Sequence, residues 1–188
     1  MKKFVLILAC FLILLTGCAQ KNYSGSTDNA LDENYIGEGQ MTVLRHLISS
    51  NAFFVEEVFI ENRLPSETGK DTTNESGVFA PVVSEKINSY DELVQIIKST
   101  YTAEAAEKIL ADFNYYTDID GKLHINKQIP ASEAENYDWS NPEIEVISVA
   151  DGTYTFDVTV KKENGLNHSF TMIAKDVDGN IRLENIYY

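Results

Sequence analysis

Between residues 143 and 187 the chain alternates apolar and polar side chains in four strand-length runs, 143–150, 153–162, 168–176 and 180–187. Each gap holds a turn signal: Asp151-Gly152, Asn164-Gly165 and Asp178-Gly179 tolerate the positive φ that tight hairpins demand. Tyr154, Phe156, Val158 and Val160 fall on one face of the second run, and Phe170, Met172 and Ala174 repeat the pattern in the third. Four antiparallel strands with one apolar face cannot stand alone in water, so upstream elements must cover that face.

Residues 81–126 offer two of those elements. Ser89 followed by Glu92 has capping-box spacing, the hydroxyl and the carboxylate satisfying opposite orphan amides. Thr102 starts a second helix, with Glu104 in its first turn. Leu93, Ile96 and Ile97 form the buried stripe of the first, and Ala106, Ile109, Leu110 and Phe113 that of the second. After Tyr115 and Tyr116 the period changes, and Asp120-Gly121 closes a hairpin.

Further upstream, Met41, Leu44, Leu47 and Ile48 form a helical stripe that Val55, Val58 and Phe59 continue. The cluster Ala52-Phe53-Phe54-Val55 is too dense for a surface helix; it is a buried helix or a strand, and length favours helix. Poor helix formers at Ser49-Ser50-Asn51 predict a kink or break, and Leu64-Pro65 ends the element. Residues 66–77 contain no apolar side chain and read as an exposed loop; 78–83 read as a short strand that Pro81 confines to an edge. Residues 127–141 read as a long connection carrying Tyr137 and Trp139. Helices followed by a meander give an α+β fold, with N-terminal helices packed on a C-terminal antiparallel sheet in a single domain of residues 39–188.

The N-terminus belongs to a different category. Lys2 and Lys3 precede the apolar run FVLILACFLILL, which is shorter than the roughly 20 residues of a spanning helix and reads as a secretory signal over residues 1–17. Leu15, Thr16, Gly17 and Cys18 resemble the lipobox of bacterial lipoproteins, in which the cysteine is lipidated and becomes the mature N-terminus. The alternative is an ordinary signal peptide that happens to contain a cysteine. Acylation of Cys18 by several chains would hold the protein on the extracytoplasmic face of the cell membrane. Residues 18–38 then form a polar tether that lets the domain float about 25 Å away. Only Cys10 and Cys18 occur, so the mature domain has no thiol for a disulfide, a nucleophile or a thiolate metal site.

Loss of Lys2 and Lys3 with the signal leaves 13 basic against 29 acidic residues, taking the charge from −14 to −16. Such a surface disfavours nucleic acid and anionic headgroups and suits cationic partners, or simply keeps a secreted domain soluble. Two D-x-D-G segments, at Asp118 and Asp176, mimic calcium loops, but the first and twelfth ligand positions fall on Tyr116 and Lys127, or on Ala174 and Asn185. Hairpin turns explain them better. His46, His124 and His168 are isolated, no serine has a G-x-S-x-G context, and no glycine loop has phosphate-binding spacing. The expectation is a non-enzyme with no catalytic residue, metal or cofactor. Tyr137 and Trp139, in a polar stretch, are candidate partner-binding anchors; the other reading has Trp139 folding back over the end of the sheet.

Tyr90-Asp91-Glu92-Leu93, Thr102-Ala103-Glu104-Ala105-Ala106 and Asp120-Gly121-Lys122-Leu123, in this order between a lipobox and a meander, resemble the IseA family of D,L-endopeptidase inhibitors. More broadly the chain resembles cystatin-like and NTF2-like envelope domains. The specific part covers about a quarter of the chain and consists of fold-determining residues. The resemblance implies a protein that binds the catalytic domain of cell-wall D,L-endopeptidases, blocks their cysteine-dependent cleft and so regulates autolysis. The competing class is an envelope module that holds a small ligand, or another envelope protein, in an apolar cone between helices and sheet. An NTF2-like enzyme would need acid–base residues converging in that cone, and no motif points to them.

Overall fold

The computed structural model of the protein describes residues 36–60, 63–130 and 135–188. Cys18, the expected signal and the tether up to residue 35 lie outside the described residues.

The first helix, α1 (Glu38–Phe53), begins where the Gly37 amide donates to Gln40 Oε1 at 2.9 Å. It runs through Ser49-Ser50-Asn51 without the expected break. Tertiary bonding overrides propensity here, because Asn51 is fully buried and uses its amide across the core. From Phe54 to Phe59 the chain continues as a π-helical segment, with Ile60 N–H bonded to Val55 O. The wider turn accounts for the dense apolar cluster. Phe54, Val55, Val58, Phe59 and Ile60 are more than one α-helical stripe can bury, and i→i+5 bonding brings all five to at most 1% exposure.

Helices α2 (Tyr90–Thr100) and α3 (Ala103–Asp112) start at their expected caps. Ser89 Oγ accepts from Glu92 N–H at 3.1 Å, and Thr102 Oγ1 from Ala105 N–H at 3.4 Å. The Glu92 carboxylate takes the Asn88 amide at 2.7 Å, one residue before the cap. Leu93, Ile97, Ala106 and Ile109 are buried, as their spacing requires.

Two four-stranded antiparallel sheets complete the fold. One has the order β1-β2-β4-β3, from β1 (Thr72–Asn74), β2 (Gly77–Pro81), β3 (Tyr116–Ile119) and β4 (Lys122–Asn126). The segment expected to be a loop is indeed exposed, yet Thr72–Asn74 pairs with β2 as a short hairpin. It makes β2 an interior strand rather than an edge. Pro81 is tolerated because it lies at the strand's end, beyond the residues that pair with β1. The Asp120-Gly121 turn has φ of 54° and 75°, as a mirror-type hairpin needs.

The other sheet is the C-terminal meander, in the order β5-β6-β7-β8. Its strands are β5 (Tyr137–Ala150), β6 (Thr153–Lys162), β7 (Asn167–Val177) and β8 (Asn180–Leu183). Its inner face carries Tyr154, Phe156, Val158, Val160, Met172 and Ala174, all at most 4% exposed, in one cluster with Leu44, Ile48, Phe54 and Tyr101. The outer face is polar: Thr159 bonds Ser169 at 2.6 Å and Thr171 donates to Asp157 at 2.7 Å.

The fourth strand ends four residues earlier than its pattern suggests. Asn51 takes over from the ladder: its Nδ2 donates to Tyr187 O at 2.9 Å, and its Oδ1 accepts from Tyr187 N–H at 3.0 Å. Tyr101 O–H donates to the same oxygen at 3.1 Å. One side chain of α1 thus pairs with the C-terminal segment as a neighbouring strand would.

Candidate functional site

The largest departure from expectation lies at residues 137–141. The sequence reads them as part of a connection, whereas they open β5, where Tyr137 pairs with Lys162 and Asp138 with Lys161. Tyr137 and Trp139 are 9% and 6% exposed, which fits the reading in which Trp139 folds back over the end of the sheet. Spacing i, i+2 puts both rings on one face, and Asp138 between them is exposed on the other.

Pro142 would interrupt a regular ladder. The chain avoids this with a wide bulge: five steps along β5, from Asp138 to Glu143, match only two along β6, from Lys161 to Thr159. Asp138 Oδ1 holds the bulge by accepting from Ser140 N–H at 3.0 Å and Ser140 Oγ at 2.5 Å. These bonds, the hydroxyl's first, pull the Asp138 carboxyl below its ordinary range.

Around the bulge the inner sheet face is aromatic. Trp139 stacks on Phe170 with centroids 5.2 Å apart, and Tyr137 meets Phe170 edge-on at 5.1 Å. His168, the partner of Val160, lies 4.5 Å from Phe170 and is half-buried. Tyr137 O–H donates to Glu135 at 2.9 Å, and Lys162 pairs with the same carboxylate. The Lys162 bond, followed by that of Tyr137, lowers the Glu135 carboxyl; burial, then Glu135, raises the Tyr137 phenol. Trp139 Nε1 is buried and has no acceptor among the described residues.

Trp139 also lines a groove of about 390 Å³ between the bulge and the end of α1, together with Ala52, Phe53, Glu56, Glu57 and Lys86. Lys86 lies across it, its Nζ 4.5 Å from the Phe53 ring centroid and 2.8 and 3.1 Å from the Glu57 oxygens. Sequence reading missed Phe53, Glu57 and Lys86 as a unit. They come from separate elements, and the only local signal is the surplus of aromatic residues at Phe53-Phe54.

Two further grooves lie at the margins of the helix–sheet interface. One of about 520 Å³ is lined by Gln40, Ser99, Tyr154 and Arg182, and one of about 390 Å³ by Lys108, Phe113 and Tyr188. The space between helices and sheet is occupied by side chains of zero exposure, including Leu44, Phe54, Tyr101, Phe156 and Met172. Beyond the aromatic end of the sheet projects the β6–β7 hairpin, closed by Lys162 N–H to Leu166 O at 2.8 Å. Gly165 there adopts φ 80°, the left-handed residue of a three-residue loop, and Leu166 is 64% exposed.

The remaining sequence candidates have local roles. Asp118 and Asp176 each accept the amide of their turn glycine, at 3.1 and 2.7 Å. His124 is buried with Nδ1 3.0 Å from Lys122 O, and His46 is exposed on α1. Among the described residues no group of three or more His, Cys, Asp or Glu side chains is placed to hold a metal ion. No described helix is long and apolar enough to cross a membrane. The chain matches no protein-family model and no curated protein sequence.

Proposed function

We propose that the chain is an envelope lipoprotein, anchored by lipid on Cys18, that binds and inhibits cell-wall D,L-endopeptidases. The observation that carries this reading is the filled interior. A module that stores a small ligand between helix and sheet needs an open cone, and here that volume is taken by Leu44, Phe54, Tyr101, Phe156 and Met172. Recognition then falls to the surface, where macromolecular partners bind.

Two features support a protein partner of opposite charge. The β6–β7 hairpin offers Leu166 as an exposed apolar tip on a turn that is hydrogen-bonded across its base. Five lysines, Lys70, Lys86, Lys127, Lys162 and Lys175, are already paired with carboxylates. The acidic excess, −16 once Lys2 and Lys3 are lost with the signal, is available to steer a basic hydrolase toward the domain. The hairpin, entering the cleft of the hydrolase, would exclude substrate without any chemistry of its own. The test is muropeptide cleavage by a purified D,L-endopeptidase with and without the mature domain. Cleavage should stop at stoichiometric excess; full activity at micromolar excess would refute inhibition of that enzyme.

A further inference from the structure

The two edges of the C-terminal sheet are finished differently. At β8 the junction of α2 and α3 closes the edge: Tyr101 bridges Leu183, and Thr102 N–H donates to Leu183 O at 2.9 Å. At β5 no described residue does the same. Residues 143–150 pair through their backbone with β6 alone, so among the described residues the groups that point away from β6 are open. An open strand edge is a template for another strand. We propose that β5 takes an extended, basic segment of a partner protein as an added strand at Glu143–Val146, with a lysine or arginine set against Glu145 and Asp157. The partner need not be a hydrolase.

Two bulges frame this stretch. The register shifts between Asp138 and Glu143 and again between Val146 and Ser148, and the residues from Glu143 to Val146 pair regularly with those from Thr159 back to Phe156. Pro142 and the bulges blunt the rest of the edge, which confines docking to this window. Ile147, in the second bulge, has no partner on β6 and is 44% exposed, which gives an added strand an apolar margin to cover.

Charge selects the occupant. Glu145 stands directly opposite Asp157, and its diagonal neighbours on β6 are Thr155 and Thr159. Asp157 in turn faces Thr171, a neutral donor at 2.7 Å. Lys161, further along that face of β6, stands opposite Asp138 on the far side of the bulge. Neither Glu145 nor Asp157 has an ion pair among the described residues. On an added strand the residue across from Glu145 comes within about 4.5–5.5 Å, Cβ to Cβ. A lysine or arginine there relieves the like-charge pair, whereas an acidic residue aggravates it. A second copy of the chain is disfavoured for the same reason: pairing about residue 144 sets Glu143 against Glu145, and pairing about residue 145 sets Glu145 against its own counterpart.

The test is calorimetric titration of the mature protein with a hexapeptide of alternating lysine and valine, blocked at both termini. Binding should saturate, and amide exchange within residues 143–150 should slow in the complex. The glutamate–valine counterpart should not bind. Nor should the lysine–valine peptide methylated at every backbone nitrogen, which keeps the charge but cannot donate to an edge. Glu145→Lys should weaken binding about tenfold, because an attractive cross-strand pair becomes a repulsive one. Glu107→Lys makes the same charge change on the exposed face of α3 and should leave binding within about twofold, since screening confines the effect to near neighbours. No binding, binding of the methylated peptide, equal losses in the two variants, or unchanged exchange at 143–150 would each overturn the proposal. So would a dimer of the free protein, by sedimentation, in which those amides are already slow.

Discussion

Replacing Asn51 by leucine tests whether one buried amide holds the C-terminal segment to the domain. The side chains are similar in size, but leucine strands three groups: Tyr187 N–H, Tyr187 C=O and the Tyr101 hydroxyl. Each stranded buried group costs roughly 1–3 kcal/mol, partly recovered where local relaxation admits water. Burying the added apolar surface returns about 1–2 kcal/mol. The expected net loss is about 3 kcal/mol. For a domain of this length that lowers Tm by roughly 6–12 °C, read by circular dichroism. Amide exchange at Tyr187 should accelerate in step, because its only bond of this kind to α1 is gone. Tyr101→Phe alone removes one donor while Asn51 Oδ1 keeps Tyr187 N–H, so it should cost about 1 kcal/mol. Since both changes act on one oxygen, the double variant should lose less than the sum. A loss below about 1 kcal/mol for Asn51→Leu, or unchanged exchange at Tyr187, would refute the clamp.

Tyr116 should contribute to an alkaline loss of stability, as should Tyr101, whose phenol burial also pushes up. The Tyr116 hydroxyl donates to Val58 O at 2.7 Å and accepts from Leu64 N–H at 3.2 Å, tying the π-helical segment to the chain beyond it. Burial pushes the phenol from 10.0 to about 12, so the fold favours its neutral form. This contribution is complete below pH 10 and is lost as pH rises from there through about 12, by roughly 2–3 kcal/mol. Urea midpoints across that window should fall more gently in Tyr116→Phe, and identical slopes would refute the assignment. On the outer sheet face Glu145 stands directly opposite Asp157, a like-charge pair. Glu145→Lys should therefore stabilise by about 0.2–1 kcal/mol at low salt and less at high salt; a lower melting temperature at low salt would show that no repulsion is relieved.

The α+β class and most element positions are legible because they follow from short-range rules. The Asp-Gly turns, the Ser89 and Thr102 caps and the period-two runs of β6 and β7 each act over a few residues. The departures share one cause, which is that a local signal was decided by a distant partner. Asn51 looks like a helix breaker until Tyr187 is placed beside it. The segment at residues 72–74 has no apolar side chain, yet it pairs because β2 offers an open edge. Tyr137 and Trp139 look like loop aromatics because the residues around them are polar, and the bulge is what lets a stretch with Pro142 in it continue as a strand. The groove is less legible still, since Phe53, Glu57, Lys86 and Trp139 come from segments with no common pattern.

The π-helical segment and the bulge are two answers to one packing problem. The Phe53-Phe54-Val55 cluster carries more apolar bulk than an α-helical stripe can bury, and the π turn rotates the surplus inward. That rotation leaves Glu56 and Glu57 on the side facing β5. Across from them, the bulge accommodates Pro142 and at the same time leaves Trp139 N–H without a ladder or side-chain acceptor. A regular helix and a regular strand would have met here along a closed seam. Because both elements are irregular at the same level, the seam opens into a groove lined by Glu56, Glu57 and Asp138 among others. Packing alone accounts for each irregularity taken singly. It does not account for the buried indole N–H of Trp139, which a phenylalanine at position 139 would not have introduced.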